Sequence, residues 1–362
     1  LEVVGGHEQD VALDRIGLVD QLVRGHVVAV GLIPRSRVQV VEIVGRGAEP
    51  AQLGGDHLHD PYRRCLVREQ RGRAFEGLHL DALHVELGHG QAVQPPQSVT
   101  LFPGDKGDFI TYQGVLADAG VFGAKLSPYL VTDDKPIITA WTLLMSMQTG
   151  QPLLLCDSGQ LTTERTAATS ALAVDFLSAK SVSKIAIIGS GAVAQAHWRH
   201  TSALRNWSDV TVYSPNLEAN LIRQQEWLSL CPQVRFESTA EEAAKDADVV
   251  LLCTSSGTPV LDHAVLTPQA LVTSISTNVA QAHEIAPDFL LSAQVYCDYR
   301  ATTPQSAGDH GWSDDAIVGD LGQLATGTCE RPQSGLPIFF RSIGLGLEDI
   351  AVANAIYTAA RQ

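Results

Sequence analysis

Apolar and polar positions alternate informatively from residue 94 onward. Residues 109–116 and 121–131, rich in aromatic and β-branched side chains, read as strands, and 137–147 with 152–156 read as a hairpin about Gln148, Thr149, Gly150 and Gln151. A sheet-bearing region therefore comes first. Thr162 or Thr163 then offers a cap for an Ala-rich helix running to Lys180. Beyond Ser181 the rhythm changes, with strands at 184–188, 209–213, 234–237, 248–253, 270–275 and 294–298 and helical segments between most of them. That alternation predicts an α/β fold, a doubly wound parallel sheet with right-handed crossovers. Residues 350–360 read as a closing Ala-rich helix, and no repeat or low-complexity tract interrupts the series.

The first ninety residues follow a different pattern. From Leu1 to Ala92 there is no Lys, Thr, Asn, Met or Trp, yet the stretch holds ten Arg and seven of the twelve His. The joint loss of five residue types is better explained by a different coding origin than by folding physics. The expectation for much of residues 1–72 is a misassigned or shifted reading frame with weak local order, set against an unusual but real Arg-rich domain. Leu78, Leu80, Leu83, Val85 and Leu87 include helical spacings and predict a short helix within 75–90.

Composition narrows the function classes. The 362 residues are 45% hydrophobic and 18% charged, as in globular proteins, and suffice for two domains. A formal charge of −15 would repel a phosphate backbone, so nucleic acid is not an expected partner. No apolar run reaches membrane-spanning length and the N-terminal residues lack a basic, apolar, small-residue signal pattern, which sets a cytoplasmic expectation. The six cysteines never fall at C-x-x-C spacing. His197 and His200, three apart, are read as helix surface residues without a carboxylate cluster, so no metal is expected.

The sharpest motif is Gly189, Gly191 and Ala194 in a G-x-G-x-x-A turn between a buried strand and a helix. Gly189 permits the tight turn, Gly191 clears space for a pyrophosphate, and Ala194 lets helix and strand pack closely. Gly189, Gly191, Ala192 and Val193 are thus expected to hold a dinucleotide phosphate. The second strand ends in Tyr213, Ser214, Pro215 and Asn216, with no carboxylate before Glu218. Ser214 and Asn216, with Arg223 on the next helix, favour NADPH over NADH. Thr254 and Ser255 follow the fourth strand where the cofactor cleft should lie, and Ser342 is grouped with them.

Four motifs in register then carry a resemblance. Gly123-Ala-Lys125, the run Leu161-Thr-Thr-Glu-Arg165-Thr-Ala-Ala, the glycine turn and the closing Arg341-Ser-Ile-Gly-Leu-Gly-Leu-Glu-Asp349 resemble the ornithine cyclodeaminase/mu-crystallin family over residues 93–362. The resemblance implies a Rossmann domain (166–306) inserted in an α+β substrate and dimerisation domain (73–165 with 307–362). It also implies a homodimer, a nicotinamide cofactor and amino or imino acid substrates. Lys125 matches the family lysine beside the substrate carboxylate, and Arg165 the arginine that grips it, as a guanidinium fork suits a planar carboxylate.

Two departures bear on the substrate. Asn278 stands where cyclodeaminases carry an aspartate, and Gln97 where many members carry an arginine. A neutral amide hydrogen-bonds a ring nitrogen but cannot balance an ammonium. The expected activity is therefore NAD(P)H-dependent reduction of cyclic imino acids such as Δ1-pyrroline-2-carboxylate or its six-membered homologue. Lys125 and Arg165 would fix the carboxylate and Asn278 would orient the nitrogen. The proton would come from solvent, Lys125 or Tyr112. The rivals are an ornithine cyclodeaminase and a non-catalytic NADP(H)-binding protein.

Overall fold

The structure is a computed structural model that describes residues 80–134, 136–275, 283–304, 316–333 and 335–361. The compositionally odd residues 1–72 therefore lie outside the described residues. Helix α1 (Leu80–Gly88) supplies the short helix expected near 75–90. It leads into β1 (Ala92–Val93), β2 (Ser98–Leu101), β3 (Gly107–Leu116), β4 (Val121–Leu130), β5 (Ile137–Ile138), β6 (Trp141–Ser146) and β7 (Pro152–Asp157). These strands form one antiparallel sheet with β1, β3, β4, β6 and β7 in order.

The long helix α2 (Gly159–Leu177) crosses to the second sheet. There follow β8 (Lys184–Ile188), α3 (Ala192–Thr201), β9 (Asp209–Tyr213), α4 (Leu221–Leu230), β10 (Arg235–Phe236), α5 (Ala240–Ala244), β11 (Val249–Leu252), β12 (Leu271–Ser274) and β13 (Gln294–Cys297). The chain closes with β14 (Ile317–Asp320), α6 (Leu321–Thr326), β15 (Ile338–Arg341) and α7 (Gly346–Ala359). The second sheet is parallel, in the order β10, β9, β8, β11, β12, β15, β13, β14. The doubly wound α/β expectation is met.

Two details depart from the sequence reading. Strands β14 and β15 are additions, and both join the parallel sheet, whereas the resemblance groups residues 307–362 with the substrate domain. Helix α2 starts at Gly159, so Thr162 and Thr163 lie inside it and do not cap it; Ser158 is the N-cap residue, without a side-chain capping bond. Thr163 Oγ1 instead donates to Gly159 O at 3.1 Å.

Burial explains the layering. Apart from the exposed Lys184, strands β8, β11 and β12 are buried on both faces and mostly apolar, as a parallel sheet between helices requires. One face packs on α2, α3 and α4 through Val174, Trp198 and Trp227, and the other on α5 through Ala240, Ala243 and Ala244. The antiparallel sheet buries one face against α1 and α7, where Leu83, Leu144 and Ile350 meet. Helix α7 lies on β3 at backbone distance: a Cβ on Gly114 would fall 2.7 Å from Leu347 Cα, and one on Gly346 would fall 2.4 Å from Gln113 O. That close approach brings the acidic first turn of α7 over the strands.

Candidate active site

The antiparallel register lines up a row of polar side chains. Tyr112 pairs with Lys125, Lys125 with Thr142 and Thr142 with Cys156, so these residues share one sheet face. Gln97, half-buried, precedes Ser98, whose partner is Thr111, and so falls at the end of this row. Lys125 is 1% exposed and its Nζ lies 4.2 Å from the centre of the buried Tyr112 ring. The same ammonium donates to Asp349 Oδ1 at 3.0 Å, sits 2.9 Å from Oδ2 and reaches Thr162 Oγ1 at 3.3 Å.

Arg165 arrives at the same carboxylate from α2. Its Nε donates to Asp349 Oδ1 at 3.1 Å and its Nη1 to Glu348 Oε2 at 3.5 Å. A backbone notch receives the guanidinium. Gly344 has φ +76°, and a Cβ there would fall 2.0 Å from Arg165 Nη1. Lys125 and Arg165 thus converge, brought together from separate stretches by the first turn of α7. Glu348 is fully buried and accepts from Thr169 Oγ1 at 2.7 Å and Leu345 N at 3.2 Å, with His84 Nε2 3.7 Å away.

Charge is distributed unevenly in this cluster. Burial, then the neighbouring Arg165, lowers the pKa of Lys125 to about 8 against the pull of Asp349. Burial also works against the charge on Arg165, yet Asp349 and Glu348 hold its pKa above the ordinary value. Glu348 is pushed up by burial, but His84 and Arg165 hold it below the usual carboxylate range. Arg165 is fixed in its charged form, while Lys125 can release a proton near neutrality.

The glycine turn lies at the carboxyl edge of the parallel sheet. Gly189 has φ +119° and a Cβ there would meet Cys253 O at 2.5 Å, so only glycine is accommodated without strain. A Cβ on Gly191 would meet nothing within 4 Å, Gly191 and Ala192 are exposed, and Val193 is half-buried. Helix α3 starts at Ala192 with no side-chain cap, which leaves its first amide groups available to a phosphate. These residues fit a dinucleotide pyrophosphate. Ser214 is half-buried and Asn216 and Ser255 are exposed. Arg223 Nη1 is bound to Glu226 at 2.8 Å.

Other expected cofactor neighbours serve a scaffold. Thr254 donates through N and Oγ1 to Glu284 Oε1, each at 2.7 Å, and Glu284 Oε2 accepts from Ser274 Oγ and Ile275 N. Buried Ser342 donates to Asp298 Oδ2 at 3.2 Å, and that oxygen also accepts from Ile343 N at 2.8 Å and Gly344 N at 2.9 Å. Asp298 therefore holds the segment that shapes the Arg165 notch. Asn278 lies outside the described residues.

One link joins the two halves of the site. Glu164, adjacent to Arg165, accepts from Arg199 Nη2 at 2.6 Å and contacts His200 Nε2 at 3.0 Å on the helix behind the glycine turn. His197 corrects the surface reading. It is fully buried between Val193 O at 2.8 Å and Ser170 Oγ at 2.9 Å, and burial lowers its pKa to about 4. Among the described residues no group of three or more His, Cys, Asp or Glu could hold a metal ion, and no helix is long and apolar enough to cross a membrane.

A sequence profile of the ornithine cyclodeaminase/mu-crystallin family matches residues 79–362. The chain belongs to this family. It is 52% identical over 282 residues, 76% of this chain and 89% of the relative, to an NAD(P)H-dependent anabolic L-arginine dehydrogenase of Pseudomonas aeruginosa. It is 27% identical over 233 residues, 62% of this chain and 74% of the relative, to a Δ1-pyrroline-2-carboxylate reductase of Colwellia psychrerythraea. The fold matches that of a Thermococcus litoralis Δ1-pyrroline-2-carboxylate reductase solved with NADH and L-proline, with a TM-score of 0.72 and 21% identity, covering 80% of this chain and 92% of the other. The family match starts at the edge of the described region and leaves residues 1–78 outside it.

Sequence reasoning passed over the carboxylates of this ornithine cyclodeaminase/mu-crystallin site. Glu348 and Asp349 stand in the closing signature with no local cue to a role, and no local pattern marks Asp298, Glu284 or Glu164. The usable signal was two adjacent acids inside an otherwise apolar helix, Leu347-Glu348-Asp349-Ile350, because unpaired acids are rarely buried.

Proposed function

We propose that this chain reduces 2-imino acids to 2-amino acids with NADPH or NADH, and that its substrate is the open-chain imine whose reduction gives L-arginine. The observation that carries the reaction class is the convergence of Lys125 and Arg165 on Asp349, next to a segment anchored at the carboxyl edge of the dinucleotide-type sheet. A nicotinamide dinucleotide on the glycine turn supplies the hydride. The residues of this chain bind and orient the acid. Arg165 and Lys125 hold the carboxylate, with Arg165 permanently charged. As the imine carbon gains hydride its nitrogen must gain a proton, and Lys125, titrating at about 8, is the buried group placed to give one. Gln97, Tyr112 and Asn278 complete the substrate set of this proposal, and Ser214, Asn216 and Ser255 its cofactor set, with Thr254 and Ser342 holding the scaffold beneath it.

The arginine assignment is supported by the 52% identity to the L-arginine dehydrogenase. A protein of formal charge −15 also favours a substrate with a cationic side chain. A second reading, reduction of a cyclic imino acid, is favoured by the neutral amides Gln97 and Asn278 and by the 27% identical pyrroline-2-carboxylate reductase. A panel run with NADPH and NADH separates them: 5-guanidino-2-oxopentanoate plus ammonia, pyrroline-2-carboxylate, piperideine-2-carboxylate, pyruvate plus ammonia, and ornithine. Arginine formation should be fastest. Faster turnover of the cyclic imines would select the second reading, and ammonia release from ornithine without net cofactor turnover would select the cyclodeaminase.

The assembly we assign is a homodimer. The outer face of the antiparallel sheet leaves Leu126, Leu143 and Leu155 exposed, with Ile138 69% exposed at its edge. Buried free thiols at Cys156, Cys231, Cys253 and Cys297 suit a reducing compartment, and we place the enzyme in the cytoplasm.

A further inference from the structure

The second strand of the parallel sheet ends without an acid, and the first turn of the next helix, which starts at Leu221, carries the one basic residue between Tyr213 and Trp227, Arg223. Helix α4 is seated on the glycine turn, since Trp227 Nε1 donates to Ser190 O at 3.1 Å. Asn220 caps that helix by accepting from Arg223 N at 3.0 Å, which fixes where the arginine leaves the backbone. Its guanidinium Nη1 donates to Glu226 Oε2 at 2.8 Å, and the same oxygen accepts from Gln195 Nε2, on α3 just behind the turn, at 2.9 Å.

We propose that Arg223 reads the 2′-phosphate of NADP(H) and that Glu226 sets how strongly it does so. The inference rests on the reading that the glycine turn holds a dinucleotide. Arg223 and Glu226 are partly exposed, at 32% and 40%, so their pair is a weak one, easily exchanged for a doubly charged phosphate. Gln195 keeps Glu226 in place when the arginine leaves. With NADH the arginine stays on Glu226 and nothing repels the ribose; with NADPH it turns to the phosphate, against the competing carboxylate. The tether thus makes the site tolerant of both cofactors.

Calorimetric titration of the full chain with NADP+ and NAD+ tests this without turnover. Arg223→Ala should weaken NADP+ about tenfold or more while NAD+ stays within about twofold. Glu226→Gln should tighten NADP+ several-fold and leave NAD+ unmoved. Equal weakening of both cofactors in Arg223→Ala, or an unchanged ratio in both variants, would overturn the proposal and leave the dinucleotide reading standing. If the unsubstituted chain bound neither nucleotide, the dinucleotide reading itself would fall.

Discussion

Lys125 carries the most informative charge in the molecule. Its pKa is lowered from 10.5 to about 8 by burial and by Arg165. Only the ammonium form holds a carboxylate or gives a proton, so kcat/KM for the imino acid is predicted to decline as pH rises through about 8. Asp349→Asn removes the counter-charge that props this value up and should move the decline to lower pH; a pH profile that does not move would detach the limb from Lys125. Stability runs the other way. Between about 8 and 10.5 the folded chain binds this proton less readily than the unfolded chain, so the contribution of Lys125 to stability rises with pH across that window and is lost as pH falls through it. Arg165→Lys keeps a charge but loses the planar fork, and kcat/KM should fall by a factor on the order of a hundred in steady-state assays while NADPH titration is unchanged. Both cations were legible in the sequence because they stand in local motifs. Their carboxylate partners were not, since Asp349 lies 224 residues from Lys125 and only the tertiary fold makes them neighbours.

At the scale of elements, the segment between β15 and α7 ties the two sheets together. Gly344→Ala meets both a left-handed backbone angle and the guanidinium of Arg165, and should cost about 1–3 kcal/mol of stability and raise KM for the imino acid. Differential scanning calorimetry and steady-state kinetics on one preparation would check both. Strands β8 and β9 were readable to the residue because their interior positions are buried and rich in β-branched residues between turns. Strands β14 and β15 were not. Each is four residues long, and neither belongs to the alternating series that signals a doubly wound sheet. The start of α2 was misplaced because threonine is a common cap, whereas Thr162 serves the Lys125 ammonium from inside the helix.

For the whole molecule, the antiparallel sheet offers an apolar outer surface on which Leu126, Leu143 and Leu155 stay exposed among the described residues. The proposed homodimer puts the partner on this face, so the unsubstituted chain should show a light-scattering mass of two chains and Leu143→Glu, at the middle of the face, a mass of one. A mass of two chains in the variant would place the interface elsewhere. The insertion of a Rossmann unit into a second domain could be anticipated only through family resemblance, because periodicity reports local pattern and not which late strand joins which sheet. Strand β15 enters between β12 and β13, at the interior of the parallel sheet, from a point more than sixty residues beyond β12. Until the polypeptide is synthesised past Arg341, two strand edges stand bare, so the nucleotide-binding lobe cannot mature on the ribosome ahead of the tail. Expression of a version ending before Ile338 should yield aggregated material instead of an isolated lobe.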